Sequence, residues 1–260
     1  MVLFYTDLDN TMIYSYKHEI GEEKRCAEIY HEREISYITK ETYRLLQQIK
    51  AKEEQLVMVP TTTRTTEQYQ RIHLGIGDLP YALVCNGGVL LAGGREDEDW
   101  YRGSLERIRD SRETLHQALE LLDKESRRSF ELRFIRELFV FTKCQEPEAV
   151  VCDLKRKLDL NVVEVFRNGE KVYVLPKALS KGSALQRFKE YFGAAYTIAA
   201  GDSEFDCSML EAADLGIAAP ALAQNYSFQG NVVCPSGKKI FAEAVLALVL
   251  ARVENCMKNK

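Results

Sequence analysis

The stretch Val2-Leu-Phe-Tyr-Thr-Asp-Leu-Asp-Asn-Thr11 decides how the rest of the chain is interpreted. Its first residues, up to Tyr5, are apolar and of strand-forming types, which is typical of a buried β-strand. The polar run that follows carries two carboxylates, Asp7 and Asp9. Two carboxylates so close together repel each other unless a cation or a proton lies between them. The sequence therefore predicts a functional loop at the end of a buried strand.

The chain beyond this loop alternates between helical and strand patterns. Apolar residues recur at helical spacing over 39–53, and strand-like runs follow at 55–60 and 81–85 with a short helix between them. The same rhythm returns over 183–218 and ends in an apolar helix at 241–253. This pattern predicts an α/β protein whose core is a doubly wound, mostly parallel, Rossmann-like sheet.

The middle of the chain has a different character. Residues 93–99 are turn-rich and charged, and helical and strand-like segments follow. A helix is expected over 105–125 and a hairpin around the turn Arg167-Asn-Gly169. We predict that residues 89–177 form an inserted α/β cap domain. Residues 1–88 and 178–260 would then form the catalytic core.

Composition and charge exclude several classes of protein. The formal net charge of -4 comes from 35 basic and 39 acidic residues, so there is no overall basic field for a polyanion such as DNA. No apolar run reaches the length of about 18 residues that a membrane span needs, and Asp7 comes too early for a signal peptide. The seven cysteines include no Cys-x-x-Cys pair and are expected to be reduced. We predict a cytoplasmic monomer or homodimer that binds neither nucleic acid nor membranes.

Separate segments of the chain supply the parts of a phosphoryl-transfer site. Such a site needs an in-line nucleophile, a hard cation, fixed donors to the phosphate oxygens and an acid for the leaving oxygen. Asp7 is suited to attack, and Asp9 to act as general acid and then as general base. Thr62 and Lys181 are suited to donate to phosphate oxygens, and Asp202 to complete an all-oxygen Mg²⁺ site.

Four motifs in chain order resemble those of the haloacid dehalogenase-like superfamily of phosphatases. They are Asp7-Leu-Asp-Asn-Thr11, Pro60-Thr-Thr-Thr-Arg64, Ser180-Lys181-Gly182 and Gly201-Asp-Ser-Glu-Phe-Asp206. The insertion between the second and third motifs resembles the Cof-like and sucrose-phosphatase-like branch, whose cap is an α/β module. The resemblance spans the whole chain. It implies an aspartyl-phosphate on Asp7 and a metal site formed by Asp7, Asp9, Asp202 and Asp206.

The same resemblance implies which residues contact the substrate. Members of this branch carry an Asn-Gly pair after the third strand, as Asn86-Gly87 here. The resemblance therefore assigns substrate contacts to five residues: Thr62, Thr63, Asn86, Gly87 and Lys181.

The chain departs from the pattern of the branch at two positions. Thr63 stands where the branch usually has glycine, and Phe205 stands where it usually has asparagine. Phe205 takes a polar side chain away from the metal motif and leaves Asp202 and Asp206 to organise it. Metal affinity or specificity is therefore expected to differ.

Several arginines near these motifs are given no catalytic role. Arg64 is expected to serve as a structural ion-pair partner. In the cap, Arg133, Arg136 and Arg167 are candidates to contact a second anionic group of the substrate, although arginines at such positions are more often plain surface residues.

These observations predict a Mg²⁺-dependent phosphatase, a phosphoric monoester hydrolase acting on a small sugar, nucleotide or related metabolite phosphate. Two alternatives remain open. A phosphomutase would use the same aspartyl-phosphate and return the phosphoryl group to a sugar. A non-catalytic protein would bind a phosphorylated ligand without turning it over, but the presence of Asp7, Asp9, Lys181 and Asp202 argues against it.

Overall fold

The computed structural model of the protein describes residues 1–236 and 239–258. The chain divides into two compact units, which are Met1–Glu96 with Lys181–Lys260 (unit 1) and Asp97–Ser180 (unit 2). This division differs from the predicted ends of the insertion at 89 and 177. The first boundary is later because the strand Val89–Ala92 pairs with Tyr81–Val84 inside unit 1. The role of the insertion as a cap stays a prediction.

The elements are numbered in chain order. The strands are β1 Val2–Thr6, β2 Tyr14–Ser15, β3 Lys24–Tyr30, β4 Arg33–Thr39, β5 Leu56–Pro60, β6 Tyr81–Val84, β7 Val89–Ala92, β8 Arg95–Glu96, β9 Arg133–Ile135, β10 Phe139–Lys143, β11 Val163–Asn168, β12 Lys171–Pro176, β13 Tyr196–Gly201, β14 Leu215–Ala218 and β15 Val232–Val233. The α-helices are α1 Lys40–Lys50, α2 Thr66–Tyr69, α3 Glu98–Arg107, α4 Arg112–Asp123, α5 Pro147–Lys157, α6 Lys181–Phe192, α7 Cys207–Ala212, α8 Pro220–Asn225 and α9 Phe241–Lys258. Single 3₁₀ turns occupy Cys85–Gly87, Arg109–Ser111 and Glu204–Asp206.

A five-stranded sheet forms the core of unit 1, in the order β15-β14-β13-β1-β5. All of its neighbouring strands are parallel. β1 lies between β13 and β5, and all five of its residues are buried. A near-continuous apolar strand is what a parallel sheet covered on both faces requires. The predicted α/β class with a mostly parallel core sheet is confirmed.

Helices cover both faces of this sheet. On one face, Phe4 lies in the same apolar cluster as Leu46 of α1 and Leu246 of α9. On the other face, the ring of Tyr5 meets the ring of Phe188 of α6 at 6.3 Å. Successive side chains of β1 therefore point to opposite faces, as strand geometry demands. This double covering holds the end of β1 in a fixed place.

A three-stranded antiparallel sheet of β2, β4 and β3 follows the first loop and was not predicted. Two features hide it in the sequence. The register shifts between Cys26 and Ile29, and such a bulge breaks the alternation of polar and apolar residues. The turn between β3 and β4 places His31 and Glu32 at positive φ, where Asn-Gly is the usual signal. Glu28 of this hairpin accepts from the guanidinium of Arg64.

Unit 2 contains an antiparallel sheet in the order β11-β12-β10-β9. The predicted hairpin around Gly169 is confirmed by the pairing of β11 with β12. Most of the range 105–125 is helical, as predicted, but it does not form one continuous helix. The chain breaks into α3, a 3₁₀ turn and α4, and Ser111 in that turn donates to the carbonyl of Val162.

One apolar cluster forms the core of unit 2. It joins Leu115 of α4 and Leu154 of α5 to alternate valines of the sheet, such as Val140 and Val172. Burial of such side chains on one face of a sheet stabilises a unit by about 25 cal/mol per Å² of apolar area. Unit 2 therefore has a hydrophobic core of its own.

Two expectations from the sequence concern membrane-spanning helices and the state of the cysteines. Among residues 1–236 and 239–258, no helix combines the length and the apolar character that crossing a membrane requires. Six of the cysteines are free thiols: Cys26, Cys85, Cys144, Cys152, Cys207 and Cys234. The side chain of Cys256 lies outside the described residues.

Candidate active site

Asp7 lies immediately after the central strand β1, at its carboxyl end. Its main-chain N–H donates to the carbonyl of Ala200 at 2.9 Å, which continues the pairing of β1 with β13. Only 7% of Asp7 is exposed. A carboxylate held this rigidly at the carboxyl end of a parallel strand is in the region where α/β sheets bind ligands.

Lys181 neutralises part of the charge around Asp7. Its Nζ lies 2.6 Å from Oδ1 of Asp7 and 2.6 Å from Oδ1 of Asp206, and its side chain is 1% exposed. Burial by itself lowers the pKa of a lysine, but the carboxylates of Asp206 and Asp7 outweigh it and raise the pKa of Lys181. Lys181 therefore stays a cation at the start of α6.

Asp206 acts as the organiser of the loop after β13. Its Oδ2 accepts from the main-chain N–H groups of Asp202 and Ser203 at 3.1 and 3.0 Å, and from the Ser203 hydroxyl at 2.9 Å. The fit is close because position 201 is glycine: a Cβ there would lie 2.3 Å from Cβ of Asp206. Position 201 of this motif therefore cannot carry a side chain unless Asp206 moves.

Asp202 faces the same group from the end of β13. Thr11 of the first loop donates to its Oδ1 at 3.1 Å. Burial raises the pKa of Asp202 to about 6, and the charge of Asp206 adds to this rise. The pKa of Asp7 is also raised, first by burial and then by Asp206 and Asp202, although Lys181 opposes the rise. The carboxyl groups are therefore held close together at an electrostatic cost.

This carboxylate group fits a divalent cation. Oxygens of Asp7, Asp202 and Asp206 all lie within 4.8 Å of one another. Set against the single ammonium group of Lys181, three ionised carboxylates leave an excess of two negative charges. Mg²⁺ carries two positive charges and prefers carboxylate oxygens. The donor set therefore matches Mg²⁺ in both charge and chemistry.

The structure does not bring the side chain of Asp9 into this group. Asp9 binds Arg64 instead: Nε of Arg64 lies 2.8 Å from Oδ2, and Nη2 lies 2.7 Å from Oδ1. Arg64 is thus an ion-pair partner, as expected, but its partner is the residue predicted to transfer protons. The metal role assigned to Asp9 stays a prediction.

The loops after β5 and β6 lie side by side. The N–H of Asn86 donates to the carbonyl of Thr62 at 2.9 Å, and the N–H of Cys85 donates to that of Arg64 at 2.8 Å. The hydroxyl of Thr62 accepts from the N–H of Arg64, so its hydrogen is directed elsewhere. Asn86 and Gly87 both adopt positive φ. Main-chain bonding thus brings together most of the predicted substrate residues, whose roles stay predictions.

Sequence reasoning missed Thr11 and Glu28 as residues of this region. Thr11 ends the first motif, and its hydroxyl donates to Asp202. Glu28 accepts from Arg64 across 36 residues of sequence and belongs to no motif. The contact of Glu28 with Arg64 cannot be predicted from local sequence, because it depends on a hairpin whose residue pattern is irregular.

The arginines proposed for anion contact in unit 2 each have a partner within that unit. Arg133 pairs with Glu131 at 2.8 Å and Arg167 with Glu148 at 2.5 Å. The guanidinium of Arg136 lies 4.7 Å from the centre of the Tyr101 ring. Their role toward a substrate stays a prediction.

Comparison with known proteins gives one match to a family model. The model described as haloacid dehalogenase-like hydrolase matches residues 95–224, which is half of the chain. No curated protein matched the sequence.

Solved structures resemble the whole chain. The sucrose-phosphatase from Synechocystis sp. PCC6803, solved with sucrose and phosphate, is 18% identical over 97% of this chain and 98% of its own, with a TM-score of 0.68. A haloacid dehalogenase-like hydrolase from B. subtilis is 18% identical over 95% and 98%, with a TM-score of 0.59. A trehalose-6-phosphate phosphatase related protein is 15% identical over 99% and 100%, with a TM-score of 0.55. These likenesses show a shared fold.

Proposed function

This chain belongs to the haloacid dehalogenase-like hydrolase family, and we propose that it is a Mg²⁺-dependent phosphatase that hydrolyses small phosphate monoesters. The observation that carries the proposal is the buried group of Asp7, Lys181 and Asp206, in which one ammonium lies 2.6 Å from two carboxylates. A structural ion pair needs only one acid. The surplus acid, with Asp202 beside it, suits a site that receives a cation and a phosphate.

In the proposed first step, a carboxylate oxygen of Asp7 attacks the phosphorus of the ester. The bond between phosphorus and the ester oxygen breaks, and its electron pair stays on the leaving oxygen. The carboxyl group of Asp9 gives its proton to that oxygen, so the alcohol leaves as a neutral molecule. The products are the free alcohol, an aspartyl-phosphate on Asp7 and an ionised Asp9.

In the second step, the carboxylate of Asp9 takes a proton from water while the water oxygen attacks the same phosphorus. The bond between phosphorus and Asp7 breaks, which releases phosphate and restores the Asp7 carboxylate. Asp9 is again protonated, so the cycle closes without another reactant.

Residues beside Asp7 would stabilise the negative charge that develops on the phosphoryl oxygens in both steps. Lys181 and the hydroxyl of Thr62 would donate to the phosphoryl oxygens as negative charge shifts onto them. Mg²⁺, held by Asp7 and Asp202 with Asp206 behind them, would neutralise phosphate oxygens and reduce the repulsion between nucleophile and substrate. The main-chain bonds between the Thr62 and Asn86 loops would keep the Thr62 hydroxyl in place.

Sugar phosphates are the first substrates to test. The Synechocystis protein with the same fold is a sucrose-phosphatase, and another structural neighbour is named for trehalose 6-phosphate. We propose that unit 2 selects among such esters, because it is inserted between the motif of Thr62 and the motif of Lys181. Replacing Arg133 or Arg167 by alanine would then change KM between substrates more than kcat.

The test is phosphate release from a panel of sugar, nucleotide and other metabolite phosphates, with an aryl phosphate included. The panel is run with Mg²⁺, with a chelator, and with Asp7→Asn. Asp110→Asn serves as the matched control, because the Asp110 side chain is 84% exposed and belongs to unit 2, not to the acidic group. We expect Mg²⁺-dependent release that only Asp7→Asn abolishes.

Two results would contradict the proposal. Release that survives in Asp7→Asn would exclude Asp7 as the nucleophile. Interconversion of sugar phosphate isomers without net phosphate release would identify a phosphomutase instead.

A further inference from the structure

A chain of alternating charges connects Asp9 to the interior of unit 1. Arg64 grips Asp9 with two parallel bonds, from Nε at 2.8 Å and from Nη2 at 2.7 Å. The Asp9 side chain is 51% exposed, whereas that of Arg64 is 14% exposed. A half-exposed aspartate on a loop has several rotamers available, and a two-pronged guanidinium contact selects one of them.

The far side of Arg64 is fixed by Glu28. Nη1 of Arg64 lies 2.9 Å from Oε1 of Glu28, and Nη2 lies 3.0 Å from Oε2. The Glu28 side chain is fully buried. Its oxygens also accept from Ser36 at 3.0 Å and from Nε of Arg71 at 3.1 Å. Glu28 is thus a buried carboxylate satisfied by several donors, which is the condition under which burying a charge is tolerated.

The backbone around Glu28 is also held from two sides. Glu28 sits at the bulge of β3, where it pairs with β4, and it forms an isolated bridge with Ile72. The N–H of His73 donates to the carbonyl of Ala27 at 2.8 Å. The hairpin therefore cannot shift without breaking main-chain bonds, and Glu28 gives Arg64 a fixed support.

We propose that Arg64 and Glu28 are positioning residues that hold the Asp9 carboxyl group in the orientation that proton transfer requires. The inference rests on the proton-transfer role of Asp9 in the proposed function. The contact with Arg64 is compatible with proton transfer by Asp9, because each carboxylate oxygen has two acceptor sites and one hydrogen bond from Arg64 occupies one of them. Arg71 would be enough to pair Glu28 if the cluster served packing alone.

Proton transfer by Asp9 matters in proportion to the basicity of the leaving oxygen. An alkoxide leaving from a sugar phosphate needs a proton, whereas p-nitrophenolate is stable as an anion and leaves without one. Loss of the Asp9 orientation therefore slows the first step with an alkyl phosphate and spares it with p-nitrophenyl phosphate. A merely structural lesion would slow both esters equally.

The experiment is single-turnover phosphoryl transfer with the full chain in excess and Mg²⁺ present. It compares p-nitrophenyl phosphate with the alkyl phosphate that the panel ranks first. The variants are Arg64→Lys, which keeps the charge but cannot form the fork, and Glu28→Gln, which keeps the shape. Arg44→Lys is the matched control, because Arg44 forms the same fork with Glu41, at 2.7 Å on both prongs, on the exposed face of α1.

We expect Arg64→Lys and Glu28→Gln to lower the alkyl phosphate rate by about 10- to 100-fold, because misorientation of Asp9 removes only part of the roughly 10²- to 10⁴-fold that general acid catalysis contributes. The p-nitrophenyl phosphate rate should change by less than about 3-fold, and Arg44→Lys should change neither. Equal losses on both esters, or no loss, would overturn the proposal. If Glu28→Gln fails to fold, Arg64→Lys against Arg44→Lys decides the question.

Asp9→Asn in the same assay separates this inference from the proposed function. If Asp9→Asn loses the alkyl phosphate selectively and the Arg64 variant does not, only the positioning role is wrong. If Asp9→Asn shows no difference between the esters, the proton-transfer role of Asp9 itself is wrong, and the positioning role falls with it.

Discussion

The ammonium of Lys181 lies 2.6 Å from Oδ1 of Asp7, and both side chains are buried. The two residues are 174 positions apart in the sequence, so the contact exists only because β1 and the start of α6 meet. Lys181 shares its charge with Asp206 at the same distance. The stability of this site and its proposed chemistry therefore involve the same buried cation.

Replacing Lys181 by methionine should destabilise the protein and abolish turnover. The substitution leaves two carboxyl groups buried without their cation, and removing one partner of a buried ion pair costs about 3–5 kcal/mol. Urea unfolding of the metal-free protein at neutral pH measures the cost. The control is Lys189→Met on the same helix, whose pair with Asp214 is 28% and 36% exposed. It should cost no more than about 1 kcal/mol, and equal losses in both variants would contradict the prediction.

The pKa of Asp202 predicts how the metal-free protein responds to pH. Burial raises it from the ordinary value near 4 to about 6, so the folded state binds this proton more tightly than the unfolded state. The stabilising contribution is full below about pH 4 and is lost as pH rises through 6. Between pH 5 and 7.5, wild type should lose on the order of 1 kcal/mol relative to Asp202→Asn. Parallel stability curves for the two proteins would disprove the shift.

Mg²⁺ should reverse that loss. A ligand at 100 times its Kd stabilises the folded state by about 2.7 kcal/mol. The rise in Tm with added Mg²⁺ should be larger at pH 7.5 than at pH 5.5, because protons compete for the same carboxylates. Asp202→Asn should show a much smaller rise than Asp110→Asn, the exposed control. Equal shifts in both variants would mean that Mg²⁺ binds elsewhere.

Gly201→Ala should damage both folding and activity. The new methyl group would lie 2.3 Å from Cβ of Asp206, so Asp206 must move away from Lys181 and from the loop that it organises. Overpacking of this kind costs about 1–3 kcal/mol or more. Gly193→Ala is the control, because nothing lies within 4 Å of its added methyl, although its φ of +71° brings some strain. We expect urea unfolding to show losses in both variants, and phosphate release to fall only in Gly201→Ala.

The acidic and basic residues of the site are predictable from sequence because each one follows a recognisable local pattern. Asp7 comes after an apolar strand, Asp202 follows another, and Lys181 begins a helix. Parallel strands in one sheet have their carboxyl ends at the same edge, so the pattern alone predicts that Asp7 and Asp202 lie near each other. The α/β class follows from the same alternation of strands and helices.

The support of Asp9 was not predictable in this way. Arg64 was recognised as an ion-pair partner, but neither of its acids follows from local sequence. Glu28 lies at a bulge in a hairpin whose turn contains His31 and Glu32 in place of glycine. The interruption of the helical range 105–125 has a related cause, because Ser111 lies in a 3₁₀ turn and donates to the carbonyl of Val162, a tertiary contact that periodicity does not contain.

The sequence by itself determined the alternation of strands and helices in the core and the motif residues Asp7, Thr62, Lys181 and Asp202, because periodicity and motif spacing are local properties. Tertiary structure alone decided which charges face each other: Lys181 with Asp7 and Asp206, and Arg64 between Asp9 and Glu28. These pairings depend on distances of a few ångströms between segments far apart in the chain. Burial strengthens the pairings of the buried charges, because a charge in the interior is not solvated by water and needs a partner of opposite charge.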